Sequence, residues 1–572
     1  MKKSTQNNPN TVAWRFYVVL AAVVLIYAGL MARTAYIQVI EPDMLKKQGD
    51  NRSLRTNTKT VQRGSIVDRN GHELAISVPV ETVWADPKII FDSNALSMDK
   101  HWQALADVLG QNVNKLKVRV TKHPRKRFVY IERKVAPAMA NYIRELKIPG
   151  IHLRKESKRF YPTGEISAHV VGFTNVDDKG IEGVERVYDQ LLTGENGEKR
   201  YRKDAKGRKI EILSVKEATP PKDITLSIDL RLQYLSYQSL KTTVKQYNAR
   251  SGSAVILDVK TGEILAMVNQ PAFNPNNRRG LKISDYRNRA VTDLFEPGSI
   301  VKPFTVASGL KSGKFTVDTV IDTRPGLFKV SGHTIKDFRD YGQIKIDTLI
   351  QKSSNIGASK IALALKPDQL WQGFSSFGLA EPTGAYFPGE AMGNLPDPQS
   401  WRKLDRAVMA YGYGLATSTL QIARAYMVLA NGGILQPVSF IKLDEKPQGR
   451  RVFSNDVMAD VVTMMESVVK TGGTARQAAV ENYTVAGKTG TVKKAVRGGY
   501  AEGHYLSLFA GIIPAKNPRL AMVVMVDDPQ GDDYYGGLIA APVFSEVMTG
   551  AMRLLNIAPD ALPESRLQVA QK

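Results

Sequence analysis

Between Arg15 and Arg33, in "RFYVVLAAVVLIYAGLMAR", lie seventeen uncharged and mostly apolar residues. No polar stripe interrupts them, so the pattern predicts a helix that is apolar all round. At about 1.5 Å per residue this stretch reaches ~25 Å, and snorkelling arginines with the following "TAYIQVI" extend it to a bilayer span. The run is longer than a usual signal-peptide core and no clean small-x-small cleavage site follows, so a retained single-pass anchor over residues 16–40 is expected. Lys2, Lys3 and Arg15 precede the span and Arg33, Lys46 and Lys47 follow it, a nearly tied count. Residues 1–15 are assigned to the cytoplasm and the bulk of the chain to the exported side.

Beyond the anchor the periodicity shortens. Residues 41–221 mix brief strand-like runs with Gly/Asp turns, as in "RGSIVDRNGHELAIS", which predicts an elongated α+β region. Pro220-Pro221 marks a linker, placing a boundary near Pro221. "SAVILDVKTGEILAMV" then reads as two strands joined by a Lys-Thr-Gly turn, helical patterns continue to about residue 480, and "HYLSLFAGIIP" and "RLAMVVMV" return to strand. Strands at both ends of a helical middle predict one sheet closed by the two ends of an α+β domain over 222–556. The polar remainder, 557–572, carries two prolines and is expected to be a flexible tail.

Composition narrows the chemistry. A chain of 572 residues with 43% apolar content supports more than one core. The absence of cysteine removes disulfides, thiolate metal sites and cysteine nucleophiles. The net charge of +24 is concentrated before residue 222, where 38 Lys/Arg face 24 Asp/Glu. That surplus suits anionic lipid head groups or an anionic envelope polymer, and equally a plain solvated face; no nucleic-acid partner is expected. His-Glu-x-x-His, the phosphate-binding Gly-x4-Gly-Lys-Ser/Thr and Gly-x-Ser-x-Gly are all missing, and the seven histidines form no cluster, so no metal or cofactor is expected.

Three short motifs carry what remains. Ser-x-x-Lys occurs six times, where chance gives roughly two. Ser299-Ile-Val-Lys302 differs in context: Pro297 and Gly298 can form a sharp turn, and the residues after Ser299 can continue as a helix. On a helix, positions i and i+3 share a face, so Lys302 falls beside the Ser299 hydroxyl, and the helix start offers free N–H groups to an oxyanion. Lysine can take a serine proton only when neutral, which requires burial or a second cation nearby. Lys-Thr-Gly occurs three times; Lys260–Gly262 fits a hairpin turn and Lys470–Gly472 a helix stop, whereas Lys488-Thr489-Gly490 leads a β-capable segment that can face a peptide and supply the cation. Ser353-Ser354-Asn355 is the chain's one Ser-x-Asn; alone it reads as a cap or turn.

In order and spacing the three motifs resemble those of penicillin-binding proteins and serine β-lactamases. "RGSIVDRNG" at 63–71, "RFYPTGEISAHVVGF" at 159–173 and "KGIEGVE" at 179–185 resemble the non-catalytic domain of class B penicillin-binding proteins, and "AYGYGLATSTLQIARAY" at 410–426 is similar to its division-specific members. The resemblance implies a non-catalytic pedestal over 41–221, a transpeptidase domain over 222–556, and acylation of Ser299 by the D-Ala-D-Ala bond of a peptidoglycan stem peptide. It implies Lys302 as general base, Ser353 as proton relay, Asn355 as orienter of Lys302 and the substrate amide, and Lys488 as electrostatic tuner. Thr489 and Thr491 are then carboxylate ligands, flanking Gly490, and the N–H groups of Ser299 and Thr491 the oxyanion hole. Tyr534 and Tyr535 in "DDYYGG" are candidates for a loop approaching the cleft, or for an exposed loop. Implied partners are stem peptides, β-lactams, the bacterial inner membrane at the septum, and division proteins including a multi-span glycosyltransferase. The competing functions are a D,D-carboxypeptidase and a non-enzymatic β-lactam sensor or division scaffold.

Overall fold

The computed structural model describes residues 10–40, 42–59, 61–195, 197–204, 208–496 and 498–562. The apolar run forms the helix Asn10–Ala35, followed by a π-helical turn over Tyr36–Ile40. The stretch Ala13–Val39 has a mean hydropathy of 2.1 with none of its apolar window buried in protein. Among the described residues it is the one helix long and apolar enough to cross a membrane. The sequence expectation for residues 1–9 lies outside the described residues.

Two compact units follow from the contacts: the chain up to Val61 with Gly194–Pro221, and Gln62–Thr193 with the chain from Lys222 onward. The first holds a three-stranded antiparallel sheet in which Gly197–Lys203 lies between Leu54–Lys59 and Lys209–Lys216. Lys209–Lys216 is exposed along its whole length, its apolar residues Ile210, Ile212, Leu213 and Val215 included.

In the second unit the long strand Glu73–Ala85 pairs with Ile66–Val67, Val129–Val135 and Ile151–Phe160. After Pro221 the chain first adds Ile224–Thr225 in parallel to Ile66–Val67 before entering the larger sheet. Three stretches far apart in sequence converge on one buried carboxylate. Glu185 accepts from Arg63 Nε at 2.6 Å and from Arg159 Nε at 2.6 Å, and Arg63 Nη1 reaches Asp189 at 2.6 Å. Arg63, Arg159 and Glu185 are each at most 5% exposed, so losing either partner strands a buried charge.

The catalytic-domain candidate is built on an antiparallel sheet of β1 (Ser251–Asp258), β2 (Ile264–Gln270), β3 (Ala486–Val496), β4 (Gly499–Ile513) and β5 (Leu520–Asp527) in the order β2-β1-β5-β4-β3. The two ends of the domain thus meet in one sheet, with β1 hydrogen-bonded to β5 from Ser251↔Asp527 to Asp258↔Leu520. Helices α1 (Leu230–Gln246) and α6 (Gly536–Leu554) pack on each other and on β2 and β4, while α5 (Thr419–Ala430) packs on β1 and β5. Strands β1, β2 and β5 are buried almost throughout, which is why they read as continuous apolar runs rather than alternating ones. Between β2 and β3 come α2 (Lys302–Lys311), α3 (Ile346–Lys352) and α4 (Asn355–Ala364).

The tail expected to be flexible from residue 557 is instead fastened at its start. Ile557 O accepts from the Tyr483 hydroxyl at 2.6 Å, Asp560 accepts from the Thr484 N–H at 2.7 Å, and Ala561 N–H donates to Asn482 O at 3.1 Å. Proline and polarity raised the chain's local freedom, but these tertiary hydrogen bonds offset it. Residues 563–572 lie outside the described residues.

Candidate active site

Pro297 and Gly298 form the predicted turn. A 3-10 turn over Gly298–Val301 leads directly into α2, with Ser299 in the turn and Lys302 at the first position of the helix. Pro303 falls in the first helical turn, where its missing N–H costs little. Two glycines set the loop. Gly298 has φ +57°, and Gly412, at φ +90°, stands so close that a Cβ on it would lie 2.1 Å from Gly298 O. The Gly298 N–H donates to Gly412 O at 3.1 Å, so backbone meets backbone where no side chain fits. From beneath, the fully buried Tyr426 of α5 donates its hydroxyl to Ile300 O at 2.8 Å. The stretch 410–426 therefore props the Ser299 turn.

Lys302 is fully buried. Its Nζ donates to Ser353 O at 2.5 Å, Ser353 Oγ at 3.0 Å and Asn355 Oδ1 at 2.8 Å. Ser353 sits between α3 and α4 in the left-handed region, φ +59°, which turns both its carbonyl and its hydroxyl toward the lysine. Lys488, equally buried on the edge strand β3, donates to the same Ser353 Oγ at 2.9 Å. One hydroxyl thus bridges two lysine amines. Burial first, and the Lys488 charge second, push the Lys302 amine well below the ordinary lysine range, with Asp337 opposing them. Burial pushes Lys488 down to about 7.

Strand β3 is at the sheet edge, so every other residue turns its backbone N–H and C=O away from β4. Thr489 and Thr491 share one face by the period of two. Thr489 Oγ1 is hydrogen-bonded to Thr474 Oγ1 at 2.8 Å, and Thr491 Oγ1 accepts from Gly536 N–H at 3.1 Å, at the start of α6. Gly490 lies against Ile300, to which a Cβ would come within 3.1 Å, so the strand closes on the serine turn.

The transpeptidase domain model of penicillin-binding proteins matches residues 252–549, and the penicillin-binding protein dimerisation domain model matches 58–226. The chain is 46% identical over 560 residues to the peptidoglycan D,D-transpeptidase FtsI of Escherichia coli (strain K12), covering 98% of this chain and 95% of that protein. The chain belongs to the penicillin-binding protein transpeptidases. Its fold follows a peptidoglycan synthetase from Bifidobacterium adolescentis at a TM-score of 0.71 and 27% identity, over 89% of this chain and 98% of that one. The transpeptidase domain of penicillin-binding protein 3 from Burkholderia pseudomallei matches at a TM-score of 0.55 and 42% identity, over 59% of this chain and 98% of that one.

The penicillin-binding protein's three motifs meet in one place, but not every pair touches. Among the described residues no hydrogen bond joins the Ser299 hydroxyl to Lys302, whose amine instead contacts the Ser353–Asn355 turn. Tyr534 and Tyr535 form a stack with Tyr505: ring centroids are 4.1 Å apart for Tyr505–Tyr534 and 4.5 Å for Tyr534–Tyr535. Ser507 Oγ donates to Tyr534 O at 2.7 Å, and Tyr535 remains 45% exposed. The pair is thus an ordered aromatic wall leading into α6, one residue from the Gly536 that binds Thr491.

Asp337 is the residue the motifs did not reveal. Its Oδ1 accepts from the N–H groups of Asn355 (2.6 Å) and Ile356 (3.0 Å), and its Oδ2 from the Ser354 hydroxyl (2.5 Å). This carboxylate at the start of α4 holds the turn that presents Ser353 and Asn355 to Lys302. No local pattern marks it, since it lies outside every motif and is brought in only by the fold. Asp337→Ala leaves these donors unpaired and is expected to cost on the order of 2 kcal/mol, read as a lower thermal midpoint, together with slower acylation.

Proposed function

We propose that this chain is a membrane-anchored peptidoglycan D,D-transpeptidase that cross-links stem peptides through a Ser299 acyl-enzyme and is acylated by β-lactams at the same atom. The observation that carries the reading is the Ser353 hydroxyl held between the Lys302 and Lys488 amines at 3.0 and 2.9 Å. A buried lysine whose amine is pushed toward neutrality has the lone pair that an unactivated serine needs.

In the reaction, Lys302 takes the proton as Ser299 Oγ bonds to the carbonyl carbon of the penultimate D-alanine. The oxyanion is met by the N–H groups of Ser299 and Thr491. Ser353 passes a proton from the lysine network to the leaving amine, the amide C–N bond breaks and D-alanine departs. Asn355 orients Lys302 and the donor's amide, and Lys488 sets the potential at the network. Thr489 and Thr491, flanking Gly490, receive the terminal carboxylate, and Tyr534 and Tyr535 wall the cleft. A side-chain amine of a second stem peptide then attacks the ester carbonyl, forming the cross-link and returning the proton to Ser299 Oγ.

The catalytic domain in this reading spans 222–556, carried by a pedestal over 41–221 and an anchor over 16–40 that leaves residues 1–15 in the cytoplasm. The exported domain works in the periplasm at the division septum of the inner membrane, beside division proteins that include a multi-span glycosyltransferase. Likeness to FtsI and the apolar amino-terminal helix support this placement. The direct test supplies full-length protein with lipid-linked precursor and a glycan polymerase. Cross-linked muropeptides are expected; release of D-alanine without cross-links would make it a carboxypeptidase, and β-lactam binding with neither product a sensor.

A further inference from the structure

Away from Ser299, the second unit contains a cavity of about 340 Å³ whose charged lining is entirely cationic: Lys134, Lys158, Arg159, Arg278 and Arg279. One wall comes from the strands Val129–Val135 and Ile151–Phe160, the other from the Pro275–Arg279 loop that follows β2. The walls are fastened to each other. Asn276 Oδ1 accepts from the Tyr161 N–H at 3.0 Å, and Asn276 Nδ2 donates to Tyr161 O at 2.8 Å.

The charge of this lining is only partly matched. Lys134 pairs with Asp178 at 2.7 Å and Arg159 Nε with Glu185 at 2.6 Å. Arg278 donates to the Thr174 carbonyl at 3.0 Å and lies over the Phe173 ring, neither of which neutralises it. Among the described residues no acid pairs with Lys158, Arg278 or Arg279. Arg159 adds charge to the lining rather than a contact. The residue is 5% exposed, yet its Nη2 has no hydrogen-bond partner, while Nε and Nη1 are taken by Glu185 and Ser77. Nη2 is itself closed to solvent, so the charges free to meet an anion in the cavity are those of Lys158, Arg278 and Arg279.

We propose that this cavity is an oxyanion-binding site, taking a carboxylate or phosphate group between Lys158, Arg278 and Arg279, with the neutral side chains of Tyr161, Asn175 and Asn276 accommodating what the group is attached to. The site joins the strands of the non-catalytic region to the loop leaving β2. Occupancy would stiffen that junction and couple anion binding to the catalytic domain. It also gives a use to the "RFYPTG" stretch beyond its ion pair with Glu185.

The test uses the full-length protein in detergent, already acylated by penicillin so that Ser299 and its carboxylate subsite are closed. Calorimetric titration is run with a stem tetrapeptide, with its fully amidated analogue, and with inorganic phosphate. Binding of the free-acid peptide but not the amidated one identifies a peptide carboxylate as the ligand; binding of phosphate alone identifies a phosphate group. In either case Lys158→Glu and Arg279→Glu, both at exposed positions that leave the Arg159–Glu185 pair intact, are expected to weaken binding at least about tenfold. Unchanged thermal midpoints would show that these variants fold. No heat with any of the three ligands at millimolar concentration, or binding indifferent to both substitutions, overturns the proposal.

Discussion

Ser299→Ala is expected to abolish covalent penicillin labelling and cross-linking together while leaving the fold intact. The hydroxyl lies in a turn fixed by backbone contacts, the Gly298 N–H to Gly412 O bond and the Tyr426 hydroxyl on Ile300 O, so alanine changes none of the groups that shape it. Removing a nucleophile forfeits the whole covalent route; in serine acyl-transfer enzymes such a loss reaches about a millionfold. The measurement is adduct formation with a fluorescent penicillin, followed by mass spectrometry of the intact chain. An adduct persisting at another of the six Ser-x-x-Lys serines would remove Ser299 from its role. Fast loss of the wild-type adduct would point to a β-lactamase instead of a transpeptidase.

Lys488→Met is expected to shift the acid limb of acylation to higher pH. The sign follows from the charges. A cation beside Lys302 disfavours its protonated form, so the Lys488 charge is one of the two causes holding that amine low, after burial. Removing it raises the Lys302 pKa, the base stays protonated to higher pH, and the neutral fraction at neutral pH falls about tenfold for each unit of rise. Acylation should recover as the pH is raised. If it stays low at alkaline pH, the lost donor to Ser353 Oγ, not the lost charge, is what Lys488 supplies.

The same burial carries a stability signature. Both amines are held below the ordinary lysine value, so between about pH 7 and that value the unfolded chain binds more protons than the folded one. Stability therefore rises with pH across that window, and Lys488→Met should flatten the rise. Thermal unfolding of the penicillin-free protein at stepped pH reads this directly.

Much of this protein is legible from the chain alone, for reasons of periodicity. The anchor is a run with no polar face, and β1, β2 and β5 are runs buried on both sides, so local pattern states their environment. The serine turn is equally local, because Pro297, Gly298 and the helix-compatible residues after them need no distant partner to define it. The pairing of the two ends of the catalytic domain follows from strands flanking a helical middle. A motif also carries information in proportion to what its neighbours demand: six Ser-x-x-Lys sequences are equivalent until the turn and two later motifs select one.

What the tertiary structure decided is everything that depends on groups remote in sequence sharing a low-dielectric space. Ser353 becomes a bridge only because α3 ends in a left-handed residue between two lysines lying 51 residues before it and 135 after it. Asp337 enters the site through hydrogen bonds to a turn that any sequence reading treats as self-contained. Arg63, Arg159 and Glu185 look like three unrelated motif letters until burial forces them onto one carboxylate, and Arg159 Nη2 is left over only because that packing takes its other nitrogens. Polar groups in water are indifferent to such company. Once buried they must find partners, and the fold alone determines which ones they find.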